Sequence, residues 1–246
     1  ADLPNTKGPP AFAPPPLPVF TWTGLYIGGQ VGYQWGTTGW DIHTDPPLPA
    51  SLLGEPTYSD QGVVGGGHIG FNYQVNQFVF GVEGDVEGTS YSGSLTQGSP
   101  SAVPGSEQNT TRINIEGSIR GRVGWAWDRV LIYGTGGAAF ADFRNAFNIS
   151  GVPAPIVGYP PFFDSGSFGR VGWTAGGGVE YAIDPNWSVR AEYRYTDYGS
   201  YDFVQTNPPL SGTFGLREHE RDNRVEAGFS YKFDLFAPPL PVVAKY

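Results

Sequence analysis

Fourteen charged residues fall on one parity of a two-residue repeat: the acids Glu83, Asp85, Glu87, Glu116, Glu180, Glu192 and Glu226, and the bases Arg120, Arg122, Arg170, Arg190, Arg194, Arg224 and Lys232. Opposed charges in this number either neutralise one another in a confined space or line an aqueous path. Other chemistry is poorly supported. "GGGHIG" places Gly65, Gly67 and Gly70 in the G-x-G-x-x-G spacing of dinucleotide sites, but that motif needs a following helix to offer amides to a pyrophosphate, and a strand pattern follows here. The histidines His43, His68 and His219 are dispersed over two loops and a strand, whereas a metal site needs convergence; His68 reads as an interior residue bonded to its neighbours. The serines lie mostly in loops, with no nucleophile elbow and no His/Asp pairing. No catalytic, cofactor-binding or metal-ligating residue is expected.

The elements that position the charges are strands. With 37 Gly, 16 Phe, 14 Tyr and 7 Trp in 246 residues, the composition favours short-turned β structure in a single domain. Net charge of −9 disfavours sequence-independent nucleic-acid binding, which needs excess Lys and Arg. No apolar run is long enough for a transmembrane helix. The mean hydropathy of −0.26 does not exclude a membrane barrel, whose apolar half is hidden in alternation. A chain that starts Ala1-Asp2 without Met is expected to be a processed, exported form, yet it has no cysteine to staple it.

Alternation marks eight strands. One begins at Leu25; then come "VVGGGHIGFNY", "FVFGVEGDVEG", a strand from Ile113 to Trp125, "VLIYGTGGAAFA" of unassigned facing, and strands around Val171 to Tyr181, Trp187 to Tyr195 and Val225 to Phe233. Ile113, Ile115, Ile119, Val123 and Trp125 share the apolar parity of their strand. Short turns near 74–77, 127–129 and 184–186 alternate with polar Gly/Pro-rich loops near 39–58, 89–110, 142–166 and 199–221, the asymmetry of an outer-membrane barrel. The expected fold is all-β: an eight-stranded antiparallel up-and-down transmembrane β-barrel with four long extracellular loops and three short periplasmic turns. Its parts are a Pro-rich periplasmic tail at 1–20, the barrel at 21–233 and a periplasmic tail at 234–246.

A soluble barrel would point its apolar parity inward. The membrane reading inverts this, and is preferred because the polar parity mixes glycine with opposed charges, as a narrow lumen requires. The apolar parity also carries Tyr33, Trp35, Trp125, Tyr133, Trp187, Tyr193 and Tyr195, the amphipathic rings expected at headgroup level. Strands of about ten to fourteen residues suit a tilted crossing. Eight strands leave room for side chains only, so the fourteen charges read as an ion-paired plug before they read as a pore. Loop acids, among them Asp41, Asp45, Asp60, Asp142 and Asp164, read as solvated, with lipopolysaccharide contact through divalent cations as the alternative.

At "PPPLPVFTWTGLYIGGQVGYQWG", "NWSVRAEYRYTDYG" and "RVEAGFSYKF" the chain resembles the small outer-membrane β-barrel proteins of alphaproteobacteria, the major barrel proteins of Brucella and rhizobia, related in fold to the opacity proteins and the OmpA membrane domain. The resemblance covers about 20 to 233. It implies an abundant outer-membrane protein of a Gram-negative bacterium, of the porin family, with structural work. Its partners would be outer-membrane lipid, lipopolysaccharide, peptidoglycan and neighbouring barrels. In part of that family the mature Ala-Asp amino terminus is joined to the peptidoglycan stem peptide, a pattern that Ala1 and Asp2 match. Members usually end on a phenylalanine that serves as assembly signal; here Phe233 is followed by "DLFAPPLPVVAKY", leaving Phe233 or Tyr246 for that part. The opening "ADLPNTKGPPAFAPPPLPVF" cannot be helix or central strand, and an extended Pro-rich segment of that length reaches roughly 60 Å at about 3.1 Å per residue.

Overall fold

In the computed structural model, residues 20–45, 57–98, 106–150, 163–207 and 212–233 are described. Ala1, Asp2, Tyr246 and nearly all of both tails lie outside them. Nine strands run in chain order: β1 (Gly24–Asp45), β2 (Thr57–Val75), β3 (Phe78–Thr89), β4 (Ser92–Gly98), β5 (Ser106–Trp127), β6 (Val130–Ser150), β7 (Phe163–Ala182), β8 (Trp187–Asn207) and β9 (Gly212–Lys232). β3 and β4 both pair with β5 and together form one stave, interrupted at Ser90–Tyr91. Every pairing is antiparallel, and β1 pairs with β9, so eight staves close into a barrel without an edge. Closure pairs the backbone donors and acceptors, which is what a lipid environment demands and what stabilises a chain lacking disulfides.

The register sets the bore. Following paired residues around the wall leads from Tyr26 through Gly70, Glu83, Arg120, Gly137, Thr174, Thr196 and Asp222 back to Gly36, a displacement of ten residues along β1. For eight staves, a rise of about 3.3 Å per residue and a spacing of about 4.8 Å, that shear tilts the strands by about 40° and gives a backbone radius of about 8 Å. Side chains from opposite walls therefore meet at the axis.

The tilt also explains the strand lengths. Each residue climbs roughly 2.5 Å, so an apolar belt of ~25 Å takes about ten residues. The unbroken staves have 19 to 22, about twice that. The excess lies at the end away from the short turns, so most of the polar segments expected to be loops are strand, with backbone pairing from Gly39 to Asp45, from Ser106 to Thr111, from Phe143 to Ser150 and from Tyr201 to Asn207. Backbone pairing there needs no apolar alternation in the sequence.

Three short turns close the other end. Asn76 and Asp128 take positive φ of 55° and 53°, as two-residue hairpins require. In the third, Asp184 Oδ1 accepts the backbone N–H groups of Asn186 and Trp187, both at 2.8 Å. Those two bonds hold its carboxyl below the usual carboxylate range. The described chain enters and leaves at this end, where the Phe233 amide donates to the Leu25 carbonyl at 2.8 Å.

The outer wall is apolar. Val82, Ile119 and Val171 stand 62%, 65% and 67% exposed around the belt, and Trp35, Trp125, Trp173, Trp187, Tyr33 and Tyr193 also face outward. Two residues expected on this face do not belong to it. Tyr133 points into the lumen, because β6 turns Leu131, Tyr133 and Thr135 inward and Ile132 outward. Ile113 is also interior, because a register shift between Ile113 and Glu116 reverses the alternation above it.

Candidate functional site

The lumen is filled in three layers. At the short-turn end, Trp22, Val79, Ala126, Leu131, Tyr133 and Ala182 form an apolar floor. Above it, all the predicted network residues except Lys232 are buried: Glu83, Asp85, Glu87, Glu116, Arg120, Arg122, Arg170, Glu180, Arg190, Glu192, Arg194, Arg224 and Glu226. Above them, Tyr91, Ile113, Ala139, Ala141 and Tyr198 form an apolar cap.

The middle layer is an ion-paired lattice. Arg120 reaches Glu83 at 2.6 Å, Asp85 at 3.0 Å and also Glu192. Arg190 donates to Glu83 at 2.6 Å and to Gln30. Arg224 holds Glu87, Glu116 and, at 3.1 Å, Glu226. Arg194 lies 3.1 Å from Glu226 and 3.3 Å from Glu192. Arg122 pairs with Glu180, and its guanidinium lies 3.6 Å from the centroid of the Tyr133 ring. Hydroxyls complete the carboxylates: Tyr26 donates to Glu83 at 2.8 Å, Tyr133 to Glu192 at 2.9 Å and Ser118 to Asp85 at 2.6 Å. Buried charges cost several kcal/mol each unless paired and hydrogen-bonded. Here the guanidinium forks of Arg120, Arg122, Arg190, Arg194 and Arg224 meet that demand with two or more partners apiece.

Several bonds cross the bore. Glu83 on β3 and Arg190 on β8 stand on diametrically opposite staves, as do Glu116 on β5 and Arg224 on β9. The lattice therefore ties the walls together as well as filling the space. His68 sits in it as an interior residue, 2.9 Å from Ser230 Oγ and 3.2 Å from an Arg190 nitrogen. Gly70 of the "GGGHIG" stretch is in mid-strand, where a Cβ would lie 2.3 Å from the Tyr26 hydroxyl; here the glycine makes room for a lumen ring.

Lys232 departs from the predicted network. Its backbone lies at the end of β9, so the flexible stem carries the ammonium out of the lattice to the floor. There it donates to the Thr21 carbonyl and lies 4.8 Å from the Phe20 ring centroid. Asp60 also differs from expectation: it is fully buried in the lumen, not in a loop. With Glu220 and Asp222 it continues the inward parity of β2 and β9 beyond the belt, a continuation that the sequence carried and the loop assignment hid.

Two of the cap's rings keep the parity of their strands. Tyr91 continues the inward parity of Glu83, Asp85 and Glu87 past the break between β3 and β4, and its hydroxyl donates to Glu220 at 2.9 Å. Tyr198 continues the inward parity of Arg190, Glu192, Arg194 and Thr196, just before the register shift to Ser200, where Gly199 adopts φ of 71°. Ile113 enters by a change of parity, at the β5 shift. A bulge at a barrel rim re-aims side chains, and here one delivers Ile113 to the cap.

Comparison with known proteins places the chain in a family. A family model described as the outer membrane protein beta-barrel domain matches residues 10–233. The chain is 32% identical over 232 residues to the 31 kDa outer-membrane immunogenic protein of Brucella melitensis, covering 92% of this chain and 89% of that one. It is 33% identical over 219 residues to the 22 kDa outer membrane protein of Rhizobium leguminosarum, covering 89% and 82%. Among solved structures it is similar to the outer membrane protein OprG of Pseudomonas aeruginosa, at 11% identity and a TM-score of 0.48, covering 86% and 96%. The eight-stave barrel with its apolar outer wall and charged lumen belongs to the outer membrane protein β-barrel family, and it resides in the outer membrane of a Gram-negative bacterium.

Proposed function

We propose that this protein is a structural barrel that packs the outer membrane and ties it to peptidoglycan through its N-terminal tail. The observation that carries the structural part is the filled lumen: a lattice of cross-bore ion pairs between two apolar layers leaves a stiff cylinder. The tether part is supported by placement. The chain leaves the barrel at Phe20 on the short-turn end, which faces the periplasm in outer-membrane barrels, and the Pro-rich stretch beyond it has the reach of a spacer. Ala1 would be the attachment point, with Asp2 beside it. Mass spectrometry of muramidase-digested cell walls from cells making the protein tests this. The expected result is a muropeptide on Ala1, and its absence overturns the tether. Lipopolysaccharide and neighbouring barrels are the partners expected around the wall.

A narrow transport barrel is the second reading. It is favoured by the imbalance of the lumen, where among the described residues ten buried carboxylates stand against six arginines and would attract cations. Single-channel recordings separate the two: a closed monomer supports the structural reading, and large stable openings overturn it.

A further inference from the structure

The four residues before β1 do more than lead into the first strand. Phe20–Thr23 crosses beneath the barrel from the β1 edge, and Trp22 is 4% exposed within the floor cluster. Its indole N–H donates to the Asp128 carbonyl at 3.3 Å, in the turn between β5 and β6, on the far side of the bore. Its backbone amide donates to Gln74 Oε1 at 2.8 Å, and the Gln74 amide donates to Thr23 Oγ1 at 2.9 Å, fastening the segment to β2. Lys232 fastens it to β9 through the Thr21 carbonyl and the Phe20 ring, which meets Trp22 edge-on at 5.1 Å between centroids. Behind the segment lies a cavity lined by Tyr26, Asn72, Glu180, Ser188 and Ser230, into which the 97% buried Asn72 brings a side-chain oxygen without a hydrogen-bond partner. That oxygen would take up water if uncovered.

We propose that Phe20–Thr23 is a strap and Trp22 its stopper, closing the periplasmic mouth of the lumen so that release of the strap admits water to the charged lattice. Apart from the burial of the Trp22 ring in the floor, the fastenings are few and polar or edge-on, so the strap can leave while the closed sheet stays intact. This inference stands on the barrel alone. On the tether reading the same strap takes any load carried by the tail.

The absence of cysteine makes a clean test possible, because one introduced thiol is the only thiol in the chain. The full chain carrying Ser230→Cys is folded into phosphatidylcholine vesicles free of cell wall, and its reaction with a membrane-impermeant maleimide is timed. Trp22→Ala in the same chain should speed labelling at least tenfold, with Trp22→Phe close to the parent. Gln74→Leu, which leaves Trp22 in place and loosens its fastening, should speed it less. Equal slow rates in all variants overturn the stopper, as does fast labelling of the parent. Should Trp22→Ala fail to fold, Gln74→Leu alone decides, by faster or unchanged labelling. A missing muropeptide on Ala1 would overturn the tether and leave this result untouched.

Discussion

Arg122 lies over the face of Tyr133, 3.6 Å from guanidinium carbon to ring centroid, while the same ring's hydroxyl donates to Glu192. One side chain thus joins two parts of the lattice, by its π face and by its oxygen. Tyr133→Phe keeps the face and loses one hydrogen bond, at a cost of about 1 kcal/mol. Arg122→Ala leaves Glu180 buried with Ser188 as its remaining partner among the described residues, at a cost of about 3–5 kcal/mol. Urea unfolding from vesicles should show the second change shifting the midpoint several times further than the first. Equal shifts would mean that the guanidinium is not what stabilises Glu180.

Glu83 and Arg190 should behave as a coupled pair. Glu83 accepts from Arg120, Arg190 and Tyr26, so Glu83→Gln disturbs three donors at once. Arg190→Met removes one of these donors and leaves Glu83 short of charge. The double variant should lose less than the sum of the two single losses, by about 0.5–3 kcal/mol, the range for residues sharing a hydrogen-bond network. Additivity within about 0.5 kcal/mol would show that the cross-bore bond carries no energy of its own.

The belt was legible because lipid enforces alternation. Ile27 to Trp35 and Val225 to Phe229 repeat every second residue, and the charged parity opposite them, from Glu83 to Glu226, is the parity found inside. Beyond the belt no solvent contrast enforces the repeat. The upper halves of β5, β6 and β8 therefore read as loops, and Asp60, Glu220 and Asp222 could not be placed inside. Bulges are a second reason. A single shift at Ile113 to Glu116 reverses inside and outside, and periodicity alone cannot locate it. Trp22 was missed for a third reason: it precedes the first strand, where no period exists to give its direction.

The β8 bulge gives a direct test of the cap. Gly199 sits at φ of 71° and donates its amide to Asp197 Oδ1 at 2.8 Å. Gly199→Ala has open space for its methyl group, so the cost is the backbone conformation alone, about 1 kcal/mol. Deleting Gly199 removes the bulge residue and its bond to Asp197, so that Ser200 follows Tyr198 in simple alternation, while Tyr198 keeps the inward parity it shares with Arg194 and Thr196. The deletion should therefore destabilise the barrel more than the alanine variant and leave quenching of interior tyrosine emission by a soluble quencher unchanged. A deletion no worse than Gly199→Ala would show that the bulge carries no stability of its own, and increased quenching would show that the bulge holds Tyr198 inward.

Asp184 provides the pH-dependent case, at a turn outside the membrane belt. Its carboxylate accepts two backbone N–H groups across the turn, and these bonds, with a smaller contribution from Arg129, hold its pKa below the usual value. The folded chain therefore binds this proton less tightly than the unfolded chain does. The resulting stabilisation is present in full above the unfolded carboxylate pKa of about 4, and it is lost as pH falls from there through the lower folded value. Asp184→Ala should unfold at lower urea than the parent at neutral pH, with the gap narrowing only as the solution is acidified below that window's upper edge. Asp184→Asn keeps an acceptor but no charge, so it should lie between the two at neutral pH and show no such narrowing against Asp184→Ala. A gap between parent and Asp184→Ala that stays constant from neutral pH down through the window would mean that the turn needs the side chain's shape and not its charge.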